Sequence, residues 1–357
     1  MKRIAIVGTG GIATTHVDAI RHERGRAELV AAVDIRREAV DSFCQQHGIP
    51  RGYTDVAAML RAEEPDLVHI CTPPHTHAQL SISCMEAGAW VVCEKPLAAS
   101  LEEIDGIAAA EAATGKYTSS IYQWRFGAGG QHLKALVDAG ALGRPLLGIC
   151  QTTWYRDDAY YAVPWRGTWE GELGGCSMGH GIHAMDLFLW AYGPWRRVTS
   201  KIDHLNHDID VEDVSLALVE FENGAMGSII NSVVSPRQES YIRMDFVEAS
   251  VELKHLYAYD NSDWRYSLFE GSSKAQELHS WQDLPKDPPS LHAGQLKHTL
   301  DCMEHQRRPL TSGDGARMTL EFIASMYKSA LTGQSVERGS IGVGDPFYHS
   351  MNGGMSI

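Results

Sequence analysis

The sequence has no C-x-x-C pair, no apolar run of membrane-spanning length, no block of like charges and no low-complexity linker. Each absence removes a class of protein. Seven cysteines (Cys44, Cys71, Cys84, Cys93, Cys150, Cys176 and Cys302) without framework spacing read as reduced thiols of a cytoplasmic protein, not as a disulfide scaffold. A transmembrane helix needs about 20 apolar residues. Lys2 and Arg3 before Ile4–Val7 imitate a secretion signal, but glycines follow at once and the run is too short for the apolar region of one. Positive charge is also scarce: 31 Lys and Arg stand against 45 Asp and Glu, a net charge of −14. A protein that tracks a nucleic-acid backbone needs the opposite balance, so nucleic acid is disfavoured as a partner, and with no run of spanning length no membrane partner is expected. An acidic protein can still hold a dinucleotide, because backbone N–H groups at a helix end take phosphates.

The residues present make an ordinary globular composition, 44% hydrophobic and 21% charged, and 357 residues suit two domains. The first third alternates β-rich runs (Ile4–Val7, Leu29–Val33, Leu67–Cys71, Trp90–Cys93, Tyr117–Tyr122) with helical ones (Thr14–His22, Glu38–His47, Ala78–Ala87). Thr54 and Asp55, and further on Ser100, stand where helix caps belong, and Gly48, Gly88 and Gly115 close helices. Repeated β-α alternation predicts a doubly wound parallel sheet over residues 1–123. From 124 to 357 the pattern changes. Strand-like runs at Arg144–Trp154, Val198–Leu205, Val214–Phe221, Met226–Val233 and Tyr241–Leu253 include an Asn223-Gly224 hairpin signal. They predict an α+β domain on an open, mainly antiparallel sheet, with helices at Met178–Tyr192, His292–Gln306 and Ala316–Leu331. An exposed sheet face favours a homodimer or homotetramer.

Gly8-Thr9-Gly10-Gly11-Ile12-Ala13 follows the first strand and opens the first helix, in the G-x-G-x-x-A form that brings a pyrophosphate against backbone and helix N-terminus. Asp34 ends the second strand about 20 residues beyond Ala13, where a carboxylate accepts ribose hydroxyls and repels a 2′-phosphate. NAD is therefore expected. Arg36 and Arg37 keep NADP open, since either could neutralise that phosphate.

Together with Thr72-Pro73-Pro74-His75-Thr76-His77, Cys93-Glu94-Lys95-Pro96 and the run from Gly174 to Asp186, the glycine segment resembles the Gfo/Idh/MocA family of sugar and cyclitol oxidoreductases. The resemblance implies a Rossmann domain followed by an α/β domain with an open antiparallel sheet. It implies that Thr72, Pro73 and His77 line the cofactor crevice, that Glu94 and Lys95 face the nicotinamide, and that the bond before Pro96 is cis. It also matches His183 to the family's catalytic histidine, and Tyr122, Gln123 and Arg125 to a segment entering the active cleft, where Gln123 would touch cofactor or substrate or serve as a hinge.

Alcohol oxidation needs a cation near the hydroxyl oxygen and a group that takes its proton. Lys95, at the carboxyl end of a strand, is the candidate cation or relay, and His183 the second proton-handling group. Asp186, three residues on, could orient His183 or simply stabilise the helix. One departure stands out. Many family members carry aspartate four residues before the histidine, and here that position is Gly179, followed by His180. Either His180 substitutes in part, or Lys95 and His183 suffice. No metal is expected, because two histidines three apart with Asp186 nearby lack a clear ligand set. Aromatics crowd the segment from Trp154 to Trp169, and the stretch from Arg156 to Glu172 is expected to be loop-rich; Tyr155, Trp165 and Arg166, with His180, offer a wall for a polyhydroxylated substrate. The resulting expectation is an NAD(P)-dependent dehydrogenase acting on a CH–OH group of a sugar, glycoside or cyclitol. Alternatives are glycoside cleavage through transient oxidation and a non-catalytic dinucleotide- or sugar-binding regulator.

Overall fold

A computed structural model of the chain describes residues 1–286 and 288–357. It divides into two compact units: Met1–Ile121 with His292–Arg317, and Tyr122–Leu291 with Met318–Ile357.

The first unit is built on six parallel strands, β1 (Lys2–Val7), β2 (Ala27–Val33), β3 (Arg51–Tyr53), β4 (Leu67–Ile70), β5 (Trp90–Cys93) and β6 (Thr118–Ser120), in the order β3-β2-β1-β4-β5-β6. Strands β4 and β5 are buried along their whole length, as parallel strands covered on both faces must be. Helices α1 (Gly11–His22), α2 (Arg37–His47), α3 (Val56–Glu63), α4 (His77–Glu86) and α5 (Leu101–Thr114) connect them. The caps expected from sequence are in place. Asp55 accepts the Ala58 N–H at 2.7 Å and Ser100 the Glu103 N–H at 3.1 Å, while Gly48 and Gly115 close α2 and α5 in left-handed conformations. The order reverses between β1 and β4, and ligands of such sheets bind outside the carboxyl ends of the strands at that reversal.

The second unit carries eight strands, β7 (Pro145–Tyr155), β8 (Trp195–Asp203), β9 (Val214–Phe221), β10 (Met226–Ser232), β11 (Val234–Phe246), β12 (Ser250–His255), β13 (Trp264–Ser267) and β14 (Val336–Glu337). Their order is β13-β12-β11-β7-β10-β9-β8-β14, antiparallel except for the β7–β10 pair. The Asn223-Gly224 turn joins β9 to β10, with Gly224 at φ +86°. The core behind this sheet is the helix Ile182–Tyr192, almost wholly buried.

Three sequence expectations change. The run Tyr241–Leu253 is two strands, because a tight turn with Phe246 N–H on the Ala249 carbonyl folds it back. The stretch after Arg156 contains two short helices, Asp158–Tyr161 and Trp169–Glu172, capped by Asp157 and Thr168. The second domain is not the continuous span 124–357. Residues His292–Arg317 return to the first unit, where Leu296, Leu300 and Met303 share an apolar cluster with Val17 and Ile20 of α1. The Asp345–His349 segment, which the sequence left unplaced, caps its own short helix through Asp345, pairs that carboxylate with Lys328, and buries Phe347 and Tyr348.

Candidate functional site

In the first unit the glycine turn sits at the carboxyl end of β1. Gly8 has φ +91°, and a Cβ there would lie 2.6 Å from the Cys71 carbonyl oxygen, so only glycine fits. At Gly10 and Gly11 a Cβ would meet nothing within 4 Å. The opening of α1 has no side-chain cap and no acidic residue in its first turn. Its free N–H groups and dipole therefore face open space, the arrangement that takes a phosphate. Ile12 is exposed beside the turn and Ala13 is buried beneath it.

Asp34 closes the same end of the sheet. Its carboxylate accepts the Thr9 hydroxyl at 2.7 Å, the Thr9 N–H at 3.1 Å and the Arg36 N–H at 3.0 Å, with the Arg36 guanidinium 3.5 Å away. Burial alone would raise its pKa. The Arg36 amide and the two Thr9 donors outweigh burial and hold it below the ordinary aspartate value. Thr9 is a partner the sequence reading passed over, although it lies inside the glycine motif.

The Thr72–His77 loop leaves β4 and the Glu94–Pro96 loop leaves β5. Thr72 is half-buried and Pro73 exposed. His77 differs from expectation. It is fully buried, with Nδ1 2.7 Å from the Pro96 carbonyl and Nε2 2.8 Å from the Thr72 carbonyl. It ties the two loops together and presents no surface to a ligand. The Lys95–Pro96 bond is cis. Lys95 is partly exposed, and its backbone N–H points to Glu94 Oε2 at 3.3 Å.

Glu94 holds a network that the sequence reading missed. Its Oε1 lies 2.9 Å from His16 Nε2 and 3.1 Å from His292 Nε2, and His16 Nδ1 lies 2.8 Å from His69 Nδ1. The three ligand-type atoms of His16, Glu94 and His292 fall within 4.8 Å of one another. All four side chains are buried. Burial would raise the Glu94 pKa, but the hydrogen bonds from His16 and His292 carry it well below the usual glutamate range. Burial pushes His16 down and His69 further down. A signal was available: His16 falls on the apolar stripe Ala13–Val17–Ile20 of α1, where a polar ring needs a partner.

In the second unit, His180 and His183 rise from the Gly174-Gly175 turn. The first turn, Ser177–Gly181, is π-helical. Residues 179 and 183 therefore do not stand in a regular α-helical i, i+4 relation, and a Cβ at Gly179 would meet nothing within 4 Å. Buried Glu212 shapes this turn, accepting the Gly175 and Ser177 N–H groups at 2.9 Å each and the Tyr327 hydroxyl at 3.0 Å. At Gly175 a Cβ would strike the Glu212 carbonyl oxygen at 1.8 Å, which explains the glycine. Of the two roles open to Asp186, the structure takes the structural one: its partners are the Arg125 guanidinium at 2.7 Å and the Thr319 hydroxyl at 2.7 Å. Arg125 is thereby a core residue and not a cleft one. Gln123 is 9% exposed, and its Oε1 has no hydrogen-bond partner among the described residues.

His180 accepts the Arg156 Nε–H at 3.0 Å and packs edge-on against Trp154 and tilted against Tyr160. Arg166 lies over the rings of Tyr160 and Trp165, at 3.8 and 4.4 Å from their centroids, and pairs with Glu172 at 3.0 Å. Burial, then Glu172, pushes the Tyr160 phenol up to about 12. Trp165 is 40% and Tyr155 48% exposed. Arg156, Tyr160, Trp165, Arg166 and His180 thus form one aromatic and cationic group, with Trp154 buried behind it.

A sequence profile described as an oxidoreductase family with an NAD-binding Rossmann fold matches residues 2–122. The GFO/IDH/MocA C-terminal domain matches residues 131–252. The chain belongs to the Gfo/Idh/MocA oxidoreductase family. D-apiose dehydrogenase of Paraburkholderia graminis is 27% identical over 98% of this chain and 93% of its own length. D-glucoside 3-dehydrogenase of Escherichia coli is 25% identical over 94% and 97%. Among solved structures, the WlbA dehydrogenase of Chromobacterium violaceum, in complex with NADH and UDP-GlcNAcA, superposes with a TM-score of 0.84. It is 29% identical and covers 96% of this chain and 97% of its own. The first unit is therefore this family's NAD-binding domain, and its uncapped glycine turn and Asp34 fit that cofactor.

Proposed function

We propose that this chain is an NAD-dependent dehydrogenase that moves a hydride between the nicotinamide and a hydroxyl-bearing carbon of a sugar, glycoside or cyclitol. The observation that carries the reading is the placement of Lys95 at the carboxyl end of β5, on the same edge of one parallel sheet as the glycine turn and Asp34. Bound NAD supplies the hydride acceptor. The turn Gly8–Ala13 holds its pyrophosphate, Asp34 its ribose, and Thr72, Pro73 and Gln123 complete the cofactor's surroundings. The Lys95 ammonium stabilises the oxygen that gains negative charge as the hydride leaves, and His183 takes the hydroxyl proton. Tyr155, Trp165, Arg166 and His180 hold the substrate, rings against C–H faces and cations against hydroxyls.

In this reading the chain works in the cytoplasm as a homo-oligomer. All seven cysteines are free thiols, and among the described residues no helix is long and apolar enough to cross a membrane. Leu147 of β7, Leu216 and Leu218 of β9 and Met226 of β10 are exposed on one face of the second sheet, a surface that a second copy would cover.

The test is absorbance at the NADH band across pyranoses, glycosides and inositols with NAD and with NADP. Turnover with at least one polyol and a preference for NAD are expected. Sugar released from a glycoside without net NADH would replace the reading with cleavage through transient oxidation. Silence across the panel, in protein that binds NAD, would overturn it.

A further inference from the structure

Helix α1 carries the phosphate-facing turn at one end and His16 on its buried side, about 8 Å along its axis. His16 meets Glu94 at 2.9 Å, and the other Glu94 oxygen accepts the backbone N–H of Lys95 at 3.3 Å. His292 makes the second contact to Glu94, at 3.1 Å, from the helix His292–Glu304 that packs on α1. His69 of β4 closes on the far nitrogen of His16. One proton assignment satisfies these contacts with uncharged rings. His16 and His292 donate through Nε2–H to Glu94, and His69 donates through Nδ1–H to His16 Nδ1. His69 Nε2 and His292 Nδ1, which have no partner among the described residues, are then bare lone pairs instead of stranded N–H donors. A metal bound by His16 Nε2 would reverse that order and leave the buried His69 Nε2 with an unsatisfied proton.

We propose that His16 and His292 are positioning residues that act through Glu94 to set Lys95 at a fixed place relative to the phosphate turn of α1. The proposal rests on the reading of Lys95 as a group beside the cofactor. A carboxylate with two imidazole donors has its torsions fixed, and the loop that begins with Glu94 is fixed with it. His77 pins the same loop one residue further on, through the Pro96 carbonyl. The helix that takes the phosphates and the strand that delivers the ammonium are thus joined by side chains, where backbone pairing alone would leave the Lys95 loop free. Small displacements of a reacting group can cost about a hundredfold in rate, so such a brace has a use.

The experiment labels Lys95 competitively with acetic anhydride in the full chain, with and without NAD, and reads the modification by mass spectrometry. Calorimetry gives NAD affinity, and metal analysis is run on the same preparations. In the unmodified chain NAD shields Lys95. His16→Leu should bind NAD with near-normal affinity yet lose about tenfold of the shielding, a local loss of placement. His292→Leu should lose part of it. His16→Gln, whose amide can still donate to Glu94, should recover most of it, and because it keeps a polar partner it remains informative if His16→Leu does not fold. Shielding that survives in His16→Leu, or no difference between His16→Leu and His16→Gln, would overturn the proposal alone. A stoichiometric transition metal lost in His16→Leu would also overturn it, because Glu94 would then be a ligand. Absence of shielding in the unmodified chain would overturn the cofactor reading of Lys95 and the proposal with it.

Discussion

Arg125 donates to Asp186 at 2.7 Å with both side chains out of solvent, and Thr319 completes the carboxylate. Burial still leaves the Asp186 pKa above its ordinary value, with Arg125 working against that rise. Removing one partner strands a buried charge, which costs about 3–5 kcal/mol, whereas replacing both with apolar residues of similar volume is close to neutral. Asp186→Leu alone should therefore lower stability severely in urea unfolding, and Arg125→Met with Asp186→Leu should restore most of it. Equal losses in the single and double variants would show that the pair matters for shape and not for charge.

Asp34 should decide the cofactor. Asp34→Ser removes the carboxylate that meets the ribose and releases Arg36, which now lies 3.5 Å from it. NAD affinity should fall by about tenfold, the worth of a charge-assisted hydrogen bond, while NADP binding should strengthen. Fluorescence titration of NADH and NADPH measures both. An unchanged ratio would place the ribose elsewhere.

Stability should fall as the solution is acidified from neutrality. His16 and His69 are buried with pKa values below the ordinary 6.5, so the unfolded chain binds more protons once the pH drops under that value. The folding equilibrium then weakens by up to roughly tenfold per pH unit for each such ring. Glu94, held well below 4.5, adds a contribution that is complete above that pH and is lost as the pH falls further. Urea unfolding at pH 7.5, 6.5 and 5.5 should show the loss, and His69→Gln should flatten it. A flat profile in the native chain would mean that these rings are exposed to protons.

Much of this fold is legible in the sequence itself. Asn223-Gly224 announced the hairpin, Asp55 and Ser100 announced their helices, and the glycine turn with Asp34 announced the cofactor edge, because each is a local signal carried by a few adjacent residues. The return of His292–Arg317 to the first unit was not, since its helix shows the same amphipathic pattern against α1 as it would against any partner. Nor was the Glu94 network, whose four members are spread from residue 16 to residue 292. The π-helical winding of the turn at Gly179 was not legible either, because hydrophobic periodicity does not report that geometry.

That turn offers its own test. Open space at Gly179 means that Gly179→Asp should fold with stability close to the parent, within about 1 kcal/mol once the gain in backbone rigidity is counted. If the added carboxylate reaches an imidazole of His180 or His183, the acid limb of the rate profile should move to higher pH, since a neighbouring anion favours the charged ring. A folded variant whose histidine resonances show a raised imidazole pKa while the rate profile stays unmoved would show that proton transfer here does not pass through that histidine.

The central claim is that one ammonium does the electrostatic work of hydride transfer without being needed to hold the nucleotide. Lys95→Met, saturated with NAD and given the best polyol from the substrate panel, tests it in a single-turnover experiment. NAD should bind with little change, and the rate of NADH appearance should fall by at least about a hundredfold, the scale on which one electrostatic donor acts. Full-rate NADH formation by that variant would contradict the account.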